Sequence, residues 1–170
     1  MNRTRYILAA ATVLAGCIAS SCSSVSGTND AADINASVQR LVAAVDAKDI
    51  NAIMAYYTPD ESLFVYDAIP PRQYVGAAAF RKDWTEFLAA YPATVHADTT
   101  DWKVEVEGNL AFGHGAFRTV GPGKDGKPLD LTVRVTDIYR KINGKWLVVH
   151  EHVSFPVDLA TGKPDFNSKV

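Results

Sequence analysis

The stretch RVTDIYRKINGKWLVVHEHVS, residues 134–154, decides the fold. β-branched and aromatic residues crowd both sides of Asn143-Gly144, a dipeptide that suits a tight hairpin because both positions accept positive φ. Two antiparallel strands are therefore expected here. Their alternation sets two acids, Asp137 and Glu151, on what is otherwise the apolar face, so that face is expected to line a pocket.

Register decides which side chains share that face. A two-residue type I′ turn at Asn143-Gly144 pairs Asp137 with His150 and sets odd positions beside even ones. A three-residue loop with glycine in a bulge pairs odd with odd. A one-residue slip flips every side chain, so the hydrophobic pattern can arbitrate. Odd with odd sorts Leu131, Val133, Val135, Asp137 and Tyr139 beside Leu147, Val149, Glu151, Val153 and Phe155. Thr132, Arg134, Thr136, Trp146, Val148, His150 and His152 then fall on the other face. That sorting is the cleaner one, and it makes Asp137 and Glu151 diagonal neighbours on the concave side.

Upstream the period is helical. Ile34, Val38, Leu41, Val42 and Val45 form one stripe behind a candidate N-cap, Asp33. Asp49 caps a shorter helix through Ile50, Ile53, Met54 and Tyr57, which ends before Thr58-Pro59 because proline disfavours helix just ahead of it. Leu63 to Tyr66 is a short strand. Gly76 opens a third helix striped by Phe80, Trp84, Phe87, Leu88 and Tyr91 and closed by Pro92. Beyond it the period changes to two: Trp102, Val104 and Val106, a turn at Gly108-Asn109, then Leu110 to Val120. Helices followed by an antiparallel meander predict an α+β fold, a cone-shaped roll of three helices packed on a curved antiparallel sheet.

The N-terminus carries an address instead of a fold. Arg3 and Arg5 precede an apolar run, Tyr6 to Ala15, too short to span a bilayer. Leu14-Ala15-Gly16-Cys17 resembles the lipobox of bacterial lipoproteins, which implies a signal peptide over 1–16, lipid on Cys17 and a membrane anchor outside the cytoplasm. The alternative is an ordinary secretory signal cleaved before Cys22. With Cys17 lipidated, Cys22 has no partner, so no intramolecular disulfide is expected. Residues 17–31 read as a flexible tether, 32–157 as the domain and 158–170 as a tail. Of 17 basic residues, Arg3 and Arg5 leave with the signal; 15 against 19 acidic gives a net charge of −4. With no basic block in the chain, nucleic acid is not expected as a partner.

The layout resembles the SnoaL-like domains of the nuclear transport factor two-like and ketosteroid isomerase-like superfamily. The residues that carry the resemblance are Asp46-Ala-Lys-Asp49, Tyr56-Tyr-Thr-Pro-Asp60, Gly76 and above all the ending Asn143 to Ser154. It implies a cone with a pocket between sheet and helices, and a homodimer formed through the sheet. The superfamily holds both cofactor-free enzymes and binding modules, so fold alone does not choose between them.

Two carboxyls in one apolar pocket do not both ionise easily, which makes Asp137 and Glu151 the candidate catalytic pair. Equally, they are acids bonded to Tyr57, Tyr139 or His114, or acids at a wet rim. Tyr57, Asp67, Trp84, Trp102, His114 and Tyr139 are the candidate contacts of a small, largely apolar ligand. His114 is included because it shares the parity of Leu110, Phe112 and Ala116. His150 and His152 share a strand face and could chelate, but His96 and His114 are the only other histidines and nothing places either beside the pair. No metal or cofactor is therefore expected. No Ser/His/acid set or Gly-rich phosphate loop stands out. The function expected is binding of a small apolar molecule by a membrane-tethered domain. The alternatives are an isomerase, cyclase or hydratase with a carboxylate base, and a structural dimeric lipoprotein.

Overall fold

The computed structural model describes residues 27–91, 94–123 and 127–168; the lipobox, Cys17 and Cys22 lie outside them. Three helices, α1 (Gly27–Asp46), α2 (Ile50–Met54) and α3 (Ala77–Ala90), pack on a curved six-stranded sheet. Its strands are β1 (Phe64–Tyr66), β2 (Tyr74–Val75), β3 (His96–Glu107), β4 (Leu110–Pro122), β5 (Pro128–Ile142) and β6 (Lys145–Ser154). They lie in the order β2-β1-β6-β5-β4-β3. All neighbours are antiparallel except β1 and β6. A separate ribbon pairs β7 (Val157–Asp158) with β8 (Lys163–Pro164), and Thr132 N–H donates to Phe166 O at 2.6 Å. Much of the expected tail is thus bonded to the domain. No helix among the described residues is long and apolar enough to cross a membrane.

The helices form where the stripes predict. Ile34, Val38, Leu41 and Val45 on α1 are buried against the sheet with Ile53, Leu63, Phe80 and Val148. Each such side chain contributes about 1.5–3 kcal/mol by leaving water. Asp49 accepts from Asn51 N–H and Ala52 N–H at 3.0 Å, the expected cap of α2. At the other end, α1 begins at Gly27, so residues 27–31 are helical and not tether, and Asp33 lies inside the helix instead of capping it. The physical reason is Asp30, which is buried and accepts from Lys141 Nζ at 2.5 Å and Trp146 Nε1 at 3.0 Å. Those two bonds anchor the first turns of α1 to β5 and β6.

The 134–154 hairpin departs from the expected register in an instructive way. Asn143 (φ 50°) and Gly144 (φ 79°) make the two-residue turn, with Ile142 opposite Lys145 and Tyr139 opposite Val148. The register then shifts by one, so that Ile138 faces His150 and Asp137 faces Glu151 directly. Val149 is the extra residue. The bulge therefore sits inside β6 and not in the turn, and it corrects two assignments. Trp146 and Val148, expected outside, are buried, whereas Leu147 and Val149 leave the inner face. Asp137 and Glu151 become direct partners instead of diagonal ones.

Candidate functional site

A straight strand after a two-residue turn would set His150 beside Asp137 and turn Glu151 outward. The bulge at Val149 consumes one residue and swings Glu151 back inside. The segment after α2 is held to the same place: Val148 N–H donates to Tyr56 O at 3.0 Å and Thr58 N–H to Val148 O at 2.9 Å. That clip carries both tyrosine rings into the interior. Tyr56 Oη donates to Asp137 Oδ2 at 2.7 Å, and Tyr139 Oη donates to the same oxygen at 3.0 Å. Tyr57 Oη donates to Glu151 Oε2 at 2.9 Å. The Tyr56 and Tyr139 oxygens also lie within hydrogen-bond distance of each other, but with both protons on Asp137 neither phenol has one to give the other.

Both acids are almost wholly buried, at 1% and 5% exposure. Burial pushes the Asp137 carboxyl up to about 6, and the bonds from Tyr56 and Tyr139 pull it the other way. Glu151 is raised well above the ordinary glutamate value, first by burial and then by the charge of Asp137. Asp137 has two phenol donors and Glu151 one, so Asp137 is the better carboxylate and Glu151 the better acid. Asp137 Oδ1 has no other hydrogen-bond donor. With both carboxyls buried and the charge of Asp137 raising Glu151, the pair resists double ionisation, and Glu151 is the member that keeps a proton more readily. The phenols of Tyr56 and Tyr57 are themselves raised by burial and by the neighbouring carboxylates, so they remain donors.

The pair forms the floor of a cavity of about 140 Å³ between sheet and helices. Aromatic rings wall it: Phe80, Trp84 and Phe87 from α3, Trp102 from β3, Phe117 from β4 and Phe155 after β6. Two glycines seat Trp102. A Cβ on Gly115 would meet its ring at 2.8 Å and Thr100 O at 2.9 Å, and one on Gly113 would meet Trp102 and Tyr139 at 3.1 Å. Gly115→Ala is therefore expected to displace Trp102 and to cost about 1–3 kcal/mol in urea denaturation. An unchanged midpoint would show that the indole gives way freely.

Of the sequence candidates, Asp137, Glu151, Tyr57, Asp67, Trp84 and Trp102 line the cavity, and Tyr139 supports Asp137 from behind. His114 does not. It is exposed on the outer face, stacked on Phe112, because the inner positions of β4 are Ala111, Gly113, Gly115, Phe117 and Thr119. His150 and His152 sit beside Tyr66 away from the cavity, with His150 Nδ1 2.9 Å from Phe64 O. Among the described residues no group of three or more His, Cys, Asp or Glu could hold a metal ion. Two site residues escape the sequence reading. Nothing in the pattern prefers Tyr56 to its neighbour. Asp83 faces the cavity beside Trp84, accepts from Tyr74 Oη at 2.5 Å and helps raise Asp67, whose burial pushes it up to about 6. A signal for Asp83 exists, since it lies three residues after Phe80 and four before Phe87, within the apolar stripe of α3.

Three helices packed on a curved, mostly antiparallel sheet make an α+β cone with a pocket floored by carboxyls. The model of the SnoaL-like domain matches residues 34–158, so the chain belongs to that family. A nuclear transport factor 2-like protein of unknown function from Pseudomonas putida KT2440 is 31% identical, with a TM-score of 0.75 over 84% of this chain and 98% of that one. A member of the same superfamily from Salmonella enterica serovar Typhimurium shares 16% identity (TM-score 0.70, 80% and 97% covered). A ketosteroid isomerase-like protein from Erwinia carotovora atroseptica shares 20% (TM-score 0.62, 74% and 95% covered). The last two show the fold alone. No curated protein matches.

Proposed function

We propose that the domain captures a small, largely apolar molecule in the cone and that the Asp137–Glu151 pair contacts it. The carrying observation is the cavity itself: walled by aromatic and aliphatic side chains, with a buried carboxyl pair supported by three phenols at its floor. Apolar sites with a few fixed polar groups are what small-molecule capture requires. The lipobox supports a protein exported and held at a membrane by lipid on Cys17. The exposed outer face, with Leu110 and Phe112 on β4 and Tyr66 on β1, supports pairing of two copies through the sheet. Native mass spectrometry of the full chain from its own host is expected to find a retained molecule. Asp137→Asn should lose it while circular dichroism stays unchanged. Retention by the variant would remove Asp137 from the site.

The asymmetry of the pair favours a second reading, a cofactor-free isomerase, cyclase or hydratase. Asp137 would take a proton from the ligand and Glu151, the acid, would return one. In heavy water the retained molecule should then gain deuterium with the wild-type protein and not with Asp137→Asn. Absence of exchange leaves capture as the whole function.

A further inference from the structure

Four carboxyl-bearing side chains line the cavity, Asp67, Asp83, Asp137 and Glu151, and among the described residues no lysine, arginine or histidine does. Asp137 Oδ1, fully buried, takes no hydrogen bond from Tyr56 or Tyr139, which both serve the other oxygen. Six aromatic rings stand in the walls, and of the aromatic side chains the indoles of Trp84 and Trp102 attract a cation best. An anion would meet only like charge here. A purely hydrocarbon occupant would leave the charge of the lining carboxyls uncompensated.

The geometry points to a small organic cation as the ligand class, a protonated amine of about one ring's bulk. This assignment rests on the reading of the cone as a binding pocket. The ammonium group sits beside Glu151 and Asp67, which line the cavity close enough for the charge of one to act on the other, and cation and carboxyls neutralise each other out of water. The apolar body lies against Trp84, Trp102 and Phe117. Asp67 and Asp83 add negative charge along the cavity wall. The volume fits: about 140 Å³ is close to the engineered cavity of roughly 150 Å³ that admits benzene in another protein.

Calorimetry on the full chain at pH 7 with three probes of matched size tests this: 2-phenylethylamine, 2-phenylethanol and 3-phenylpropionate. The amine is expected to bind at least about tenfold more tightly than the alcohol, and the carboxylate not at all. Asp137→Asn combined with Glu151→Gln should bring amine and alcohol to within about twofold of each other. Because that double change touches the buried floor, Asp67→Asn serves as a milder variant and should narrow the same ratio severalfold. An alcohol that binds as tightly as the amine would overturn the cationic assignment and leave the pocket reading intact. No binding of any probe would overturn both.

Discussion

Glu151→Gln is expected to make the protein more stable at pH 8 and to flatten its dependence on pH. A buried acid whose folded value is raised holds a proton that the unfolded chain releases above about pH 4. Between that point and the folded value the native state binds more protons than the unfolded one, so stability falls as pH rises. For Asp137, the rise from 3.8 to about 6 amounts to about 3 kcal/mol at roughly 1.4 kcal/mol per unit. Glu151, Asp67 and Asp83 act in the same sense. Asp30, Asp60 and Asp158 are lowered by their hydrogen bonds, and what they contribute is lost only below the ordinary aspartate range, outside this window. The wild-type Tm should therefore climb from pH 8 to pH 5 and drop on further acidification. In Glu151→Gln the Tyr57 hydroxyl still has an acceptor, while one ionisation and one like-charge repulsion disappear. Less than half of the wild-type slope should remain. A wild-type Tm that rises from pH 5 to pH 8 would sink this account of the floor.

Particular residues show how much of this is legible in the chain. Asn143-Gly144 encodes its turn locally, and the stripes of α1 and α3 encode their buried faces, so the α+β cone can be read directly. The pairing of Asp137 with Glu151 can be read too, but for a partly wrong reason. No glycine marks Val149, and moving the bulge into the turn satisfies nearly the same pattern. Only the burial of Trp146 and Val148 tells the two apart. His114 misleads because β4 carries its larger apolar residues, Leu110 and Phe112, outside. Its inner face is kept small by Ala111, Gly113 and Gly115 to seat Trp102. Alternation detects hydrophobic bulk, and here the inner face is defined by its absence. Asp30 reads as part of a tether because its partners, Lys141 and Trp146, are more than a hundred residues away.

Truncating Tyr57 should be the most damaging single change near the site. Its ring is fully buried, edge-on to both Tyr56 and Phe80 at centroid distances of 5.2 and 5.1 Å, and its backbone forms the bridge to Val148. Tyr57→Ala opens a void where α2, α3 and β6 meet, which costs about 3–5 kcal/mol, a large part of the roughly 5–15 kcal/mol typical of a whole domain. Tyr57→Phe keeps the ring and removes only the donor to Glu151, at about 1–2 kcal/mol. The two variants separate packing from polarity. The phenol bond is also one of the few influences that hold Glu151 down, so without it Glu151 ionises less readily still. The Phe variant should accordingly lose more stability, relative to wild type, at pH 8 than at pH 5. Against a Glu151→Gln background that difference should vanish, since an amide at that position does not titrate. A Tyr57→Phe cost that is the same at both pH values would mean that the hydroxyl serves packing alone and that Glu151 is proton-bearing throughout. Equal costs for Phe and Ala would move the weight from the ring to the hydroxyl. The chemistry of the floor and the stability of the fold meet in this one side chain, because the clip that seats Tyr57 in the core also delivers its hydroxyl to the carboxyl pair.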